Sequence, residues 1–472
     1  MRFDPVDPDA QQPKSPAPHP TDPADDQGGA FAPENGNFEK AEGQRPGSRR
    51  PRRQILIPLV MLALVAFLVL AARWTTDADA DARMLVVDEE GAVSLVDGAT
   101  GETAYTLSGA VPTPDRSTLL TAWPDGGDTI LSTRDAANGE VTGRTTLPGN
   151  PSIRTVSPEG GAVALLAGDS GGDLYLPEPR SSTSLTVAYT DDRPSQTYDL
   201  PGNIEPEMFS LAEDALFVLS FDPPMEPTGY TVQRLDLGTG ELSDTASPQV
   251  GLNPKMAGKA RAQSMHPDGT FLYTLYTLTD GPIQDPTAIT DGEGGEDRWA
   301  FIHVINLDEQ WSFCIFLERP VGIGDEAGIG LAIAPDGDTL YVADSSTSTL
   351  TEVDAVGLTA QAPRVVSQLG RSDSAAISVA ADGKIYLAAG GFVEEFDPAT
   401  LAPTNAWAFA TEVDGLAVQG DELRAAVDGE VTLINRLTGR ETGVLQAPRD
   451  GQLRLLGPPA GNATNFPVEC VC

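Results

Sequence analysis

The chain has 472 residues, with 48 Gly, 39 Pro, only 3 Cys and a formal net charge of −39. That length can bury a large core, the cysteine count excludes a disulfide-stapled scaffold, and the charge excludes nucleic-acid binding, which needs a basic face. Residues 1–53 hold 8 Lys/Arg and 9 Asp/Glu, so the acidity belongs to the remainder, with 22 basic and 60 acidic residues. Dense carboxylates serve solubility, tolerance of high salt, or both.

Residues 1–53 contain ten prolines and almost no large apolar side chains. Burial there cannot offset the entropy of ordering, which predicts a disordered tail. Residues 55–72, ILIPLVMLALVAFLVLAA, follow without a charge. Eighteen residues at helical rise reach about 27 Å, close to the hydrocarbon thickness of a bilayer, so a transmembrane helix is expected over 54–73. Pro58 falls in the first turn, where its missing N–H costs little, and Trp74 suits the far interface. Arg45, Arg49, Arg50, Arg52 and Arg53 precede the span, whereas Arg73 and Arg83 after it are diluted by Asp77, Asp79 and Asp81. The positive-inside rule then predicts a single-pass type II protein of the cell membrane, its N-terminus cytoplasmic and its C-terminal part extracellular. A signal peptide cut after Val69-Leu-Ala71 fits less well, because its charged leader would be 53 residues long. Residues 74–83 read as an acidic spacer.

From Met84 onward one pattern recurs. Apolar strand cores appear at Met84–Val87, Thr118–Thr121, Ala162–Leu166, Ala215–Leu219, Phe271–Leu275, Thr339–Val342, Lys384–Leu387 and Glu422–Ala425. Most follow a tight turn such as Pro158-Glu-Gly, Pro267-Asp-Gly, Pro335-Asp-Gly or Ala381-Asp-Gly, in which Pro presets one φ and Gly takes a positive one. A third strand, a turn such as Asp97-Gly-Ala-Thr-Gly-Glu102 and a fourth strand complete each unit. The period of about 48 residues is that of propeller blades. The prediction is an all-β propeller over 84–457, of eight four-stranded blades with seven as the alternative. The first unit lacks its innermost strand, and Gln452–Gly457 is the candidate that closes the ring. A tail, 458–472, remains.

The phrases IAPDGDTLYVAD, MHPDGTFLYTLY and VTLINRLTGRE resemble YVTN-type repeats, bacterial surface and periplasmic relatives of WD40 and quinoprotein-like propellers. The resemblance covers about 84–457 and implies a binding or scaffolding surface, sometimes an enzyme. No catalytic residue of that family maps onto this chain.

Long connections bunch in the third to fifth units, at 168–183, 221–229, 244–262 and 279–299, where recognition on a rigid ring usually resides. Loop 244–262 carries Lys255, Lys259 and Arg261, a basic cluster that can meet an anionic ligand or dock on the domain's own carboxylates. Loop 279–299 carries Asp291, Glu293, Glu296 and Asp297; it lacks the alternating acidic pattern of a calcium loop, and a plain acidic loop is favoured. His266 and His303 have no ligand-spaced partners, so no metal site is expected. No Gly-x-Ser-x-Gly, P-loop or dinucleotide fingerprint occurs, and no cofactor is expected. Cys314 should be a buried thiol of an outer strand. Cys470 and Cys472 can form a disulfide with each other, bridge to another chain or stay free. The expected function is a membrane-anchored binding module for a protein, glycan or small ligand, with a propeller enzyme, quinoprotein-like dehydrogenase or lactonase, as the alternative.

Overall fold

The computed structural model describes residues 83–88, 91–167, 178–191, 193–248, 255–278, 299–324, 328–366, 372, 375–446 and 453–457. The chain divides into units Met1–Ala66 and Phe67–Cys472, and every described residue belongs to the second. The tail 1–53, the span 54–73, nearly all of the spacer 74–83 and the tail 458–472 lie outside the described residues. Among the described residues no helix is long and apolar enough to cross a membrane.

The described residues form eight antiparallel sheets, each one blade of a propeller. Seven have four strands; in blade six the outer strand is split into Thr359–Ala360 and Arg364–Val365, both paired with Thr349–Asp354. All eight cores read from the sequence are second strands. Blade one is built from Arg83–Asp88, Val93–Asp97 and Thr103–Leu107, and its innermost strand is Leu453–Gly457. Val86 is the register partner of Leu455, and Asp88 of Leu453. The two ends of the domain therefore share one sheet, and the ring closes with eight blades, not seven.

A strand buried on both faces reads as a continuous apolar run, because successive side chains serve opposite neighbours. In Phe271–Thr277, Leu272 and Tyr276 join the cluster against blade four, while Tyr273 and Leu275 join that against blade six. Each of the eight seams between blades holds one such cluster.

The turns from innermost to second strand behave as the sequence implied. Gly337 has φ of 81°, and a Cβ there would lie 2.1 Å from His266 Nε2 of the preceding blade. Blades two and four make the same turn without glycine: Arg116 (φ 58°) and Glu213 (φ 52°) take the left-handed position. Glu213 also ties two blades together, accepting from Ser157 Oγ at 2.7 Å and from Arg193 at 2.6 Å.

Strand direction alternates within a blade, which fixes two faces. One carries the turns from first to second and from third to fourth strand. The other carries the second-to-third connections and the passages to the next blade. The second face takes the long connections, and the innermost strands begin there.

Candidate functional site at the channel mouth

The innermost strands wall the axial channel. Counting back six residues from the left-handed turn residue puts Arg154, Glu207 and Gln263 of blades three, four and five in one column. The same column in blades two, six and seven holds Ala110, Leu331 and Ile377. Blade eight holds Asp414 there, within a bulge, while Arg154 and Glu207 sit on adjacent blades beneath the long connections. In blades three and four the column residue falls within a bulge, between Ile153 and Thr155 and between Pro206 and Met208, where it has no register partner.

Arg154 and Glu207 are buried and Gln263 is half-buried. Glu207, 3% exposed, accepts from Gln263 Nε2 at 3.0 Å and Thr274 Oγ1 at 3.3 Å. Glu205 is ion-paired with Arg180, which also donates to Ile204 O at 2.7 Å and to Thr183 Oγ1 at 3.0 Å. Burial raises the Glu205 carboxyl above its ordinary value, against the opposing pull of Arg180 and Arg154. Asn203, fully buried at the start of the same strand, donates to Glu178 O and Pro224 O, each at 3.2 Å. Two connections are thereby fastened to the mouth of the channel.

The basic cluster read from the sequence is not a loop cluster. Lys259 and Arg261 belong to the innermost strand of blade five, Lys259–Met265, and the connection before it is shorter than expected, spanning 245–258. The apolar alternation of Ala260, Ala262 and Met265 was hidden by a bulge that takes Arg261 out of register. Lys259 is the register partner of Thr277, and Arg261 Nε donates to Thr277 Oγ1 at 2.6 Å, so these two cations meet at the mouth. Lys255 stands apart, with Nζ 3.3 Å from Asp222 Oδ2 and 3.2 Å from Thr228 Oγ1 on blade four. Asp291, Glu293, Glu296 and Asp297 lie outside the described residues, as do Cys470 and Cys472.

Sequence reasoning missed Arg154, Arg180, Glu205 and Glu207. The signal was available: aligning the repeats on their turns brings Arg154 and Glu207 into one column. Among the described residues the innermost strands of blades three to five set three cations, Arg154, Lys259 and Arg261, against two carboxylates, Glu205 and Glu207, and Arg180 adds a fourth cation from the connection above. On a chain of net charge −39 this is a local excess of positive charge. Such a wall can orient an anionic group entering from the mouth.

No family model matches the chain, and no curated protein matches it. Solved structures do. Apo AztD from Citrobacter koseri is 10% identical with a TM-score of 0.50, over 80% of this chain and 99% of that one. The likeness is one of fold. The dihydro-heme d1 dehydrogenase NirN, solved with DHE, is 15% identical over 82% of this chain and 76% of its own, with a TM-score of 0.49. Sqt1 from Saccharomyces cerevisiae is 13% identical over 72% and 86%, at 0.44.

Among the described residues the two histidines and the cysteine lie in blade five. His303 is 2% exposed in the third strand, and burial lowers its pKa to about 3, so it is neutral. Cys314 is a half-buried free thiol in the outer strand, and its apolar surroundings push it up to about 12. His266 lies on the face opposite the channel mouth, with Nδ1 2.5 Å from Asp268 Oδ1 in its own turn.

Proposed function

We propose that this is a YVTN-type propeller, tethered outside the cell by the helix at 54–73, that binds an anionic partner at the channel mouth of blades three to five. The observation that carries the reading is that Arg154, Glu207 and Gln263 fall in one column on three adjacent blades beneath the long connections, with Asp414 of blade eight as the other charged member. The Arg180–Glu205 ion pair and the bonds to Glu207 preorganise the wall, so the side chains lose little freedom when a ligand arrives.

Chain direction supports the orientation. Arg83 starts the second strand of blade one and Gly457 ends its innermost strand, at the same end of the sheet. That end lies on the face opposite the long connections. Arg83 therefore lies on the face away from the channel mouth.

The test places a photo-crosslinking residue in the full-length protein in intact cells, at Met225 on the mouth face or at Leu437 on the opposite face. Both sites are well exposed, at 51% and 67%. Capture of a partner from position 225 and not from 437 is expected. Capture from 437 alone, or equal capture from both, overturns the assignment. Metal analysis and an absorbance spectrum of the same preparation separate a cofactor-bearing enzyme from a binding module.

A further inference from the structure

The seam between blades four and five carries a second cluster, away from the channel. Met256 exchanges both backbone hydrogen bonds with Tyr230 at the edge of blade four, at 2.7 and 2.9 Å, which fixes its thioether in the seam with 1% exposure. Cys314 Sγ lies 3.7 Å from Met256 Sδ. His303 is the direct register partner of Cys314 in the adjacent antiparallel strand. Directly opposed residues put their side chains on the same face, with Cβ atoms about 5 Å apart. His303 Nδ1 is buried with no hydrogen-bond partner among the described residues. An imidazole nitrogen held in that state is costly unless something binds it.

We propose that Cys314, Met256 and His303 form a site for a soft monovalent cation, copper(I) or silver(I). A thiolate, a thioether and a neutral imidazole are the donors such ions select. Charge decides between ions. The thiol releases its proton to solvent as the sulfur takes the metal; one thiolate with a monovalent cation is a neutral unit, which an apolar seam accepts. A divalent ion with the same donors would bury a net positive charge. The half-buried outer strand gives the metal a way in. No electron transfer is required, since the ion binds in the oxidation state in which it arrives.

The test uses full-length protein in detergent with Cys470→Ser and Cys472→Ser, so that Cys314 is the sole thiol. Copper(I) is supplied anaerobically against a chromogenic copper(I) chelator. One copper per chain should be held in competition and should raise the melting temperature. Cys314→Ser should abolish retention. Met256→Leu, which conserves volume, should weaken it by at least the roughly tenfold typical of lesser changes to a metal's surroundings, with the melting temperature of the metal-free protein little changed. His303→Gln should also weaken it. Complete surrender of copper to the chelator, or equal retention by Cys314→Ser, overturns the proposal.

Discussion

Arg180, in the connection above blade three, donates to the carboxylate of Glu205 on the innermost strand of blade four, which is 2% exposed. The contact joins two blades and fastens a connection to the channel wall. Breaking a buried pair by removing one partner costs far more than the pair is worth, because a charge is stranded. Arg180→Ala should therefore destabilise the fold by about 3 kcal/mol near pH 8. Glu205 already has a raised carboxyl, and losing Arg180 raises it further. The folded state then gains a proton more readily than the unfolded chain, so the penalty shrinks as pH falls toward 5. Denaturant unfolding at pH 5 and pH 8 measures both numbers; a penalty independent of pH would refute the role given to Glu205.

His303 gives the opposite pH dependence. Folded, its pKa is about 3; unfolded, it returns to the ordinary histidine range near 6.5. Between those values the unfolded chain binds the extra proton, so stability rises with pH up to about 6.5 and is flat above. The slope contributed is at most about 1.4 kcal/mol per pH unit. His303→Gln removes it. The difference between wild type and variant, from urea midpoints at pH 4.5, 5.5, 6.5 and 7.5, should favour the variant progressively below 6.5. A constant difference would show that the imidazole is solvated in the folded protein.

Gly337 meets two constraints together. Its φ of 81° disfavours any side chain, and the ring of His266 occupies the space of a Cβ. Gly337→Ala should cost about 1–2 kcal/mol, seen as a lower denaturant midpoint with an unchanged slope. Gly420→Ala is the informative comparison: φ is 55° there, but nothing lies within 4 Å of the added carbon. It should cost less than Gly337→Ala, and the difference isolates the packing against His266.

Much of the ring was legible because burial on both faces leaves a distinct trace. Runs such as Phe271–Leu275 and Thr339–Val342 are apolar at successive positions, and turns with Gly at a fixed offset mark where each begins. The closing strand was legible by subtraction, since blade one lacked an innermost partner and Leu453 and Leu455 were left over. The channel wall was harder. Arg154, Glu207 and Arg261 each interrupt a strand with a charge, and a charge inside an apolar run reads as a loop unless a bulge is expected there. Lys259 and Arg261 read as loop residues for that reason. The turn at Pro114-Asp-Arg116 is legible from its proline and aspartate, whereas Glu213 hides its turn by taking a backbone conformation usually reserved for glycine.

The central claim is that the last strand completes the first blade. Removing it uncovers Met84 and Val86 and discards the burial of Leu453 and part of that of Leu455, together about 5 kcal/mol. Two truncations of the full-length protein, ending at residue 457 and at residue 452, differ by that strand alone. Thermal melts followed by circular dichroism should give the longer one the transition of the intact chain, and the shorter one a transition that is broadened and shifted down by many degrees. Coincident melts for the two would contradict the closed ring.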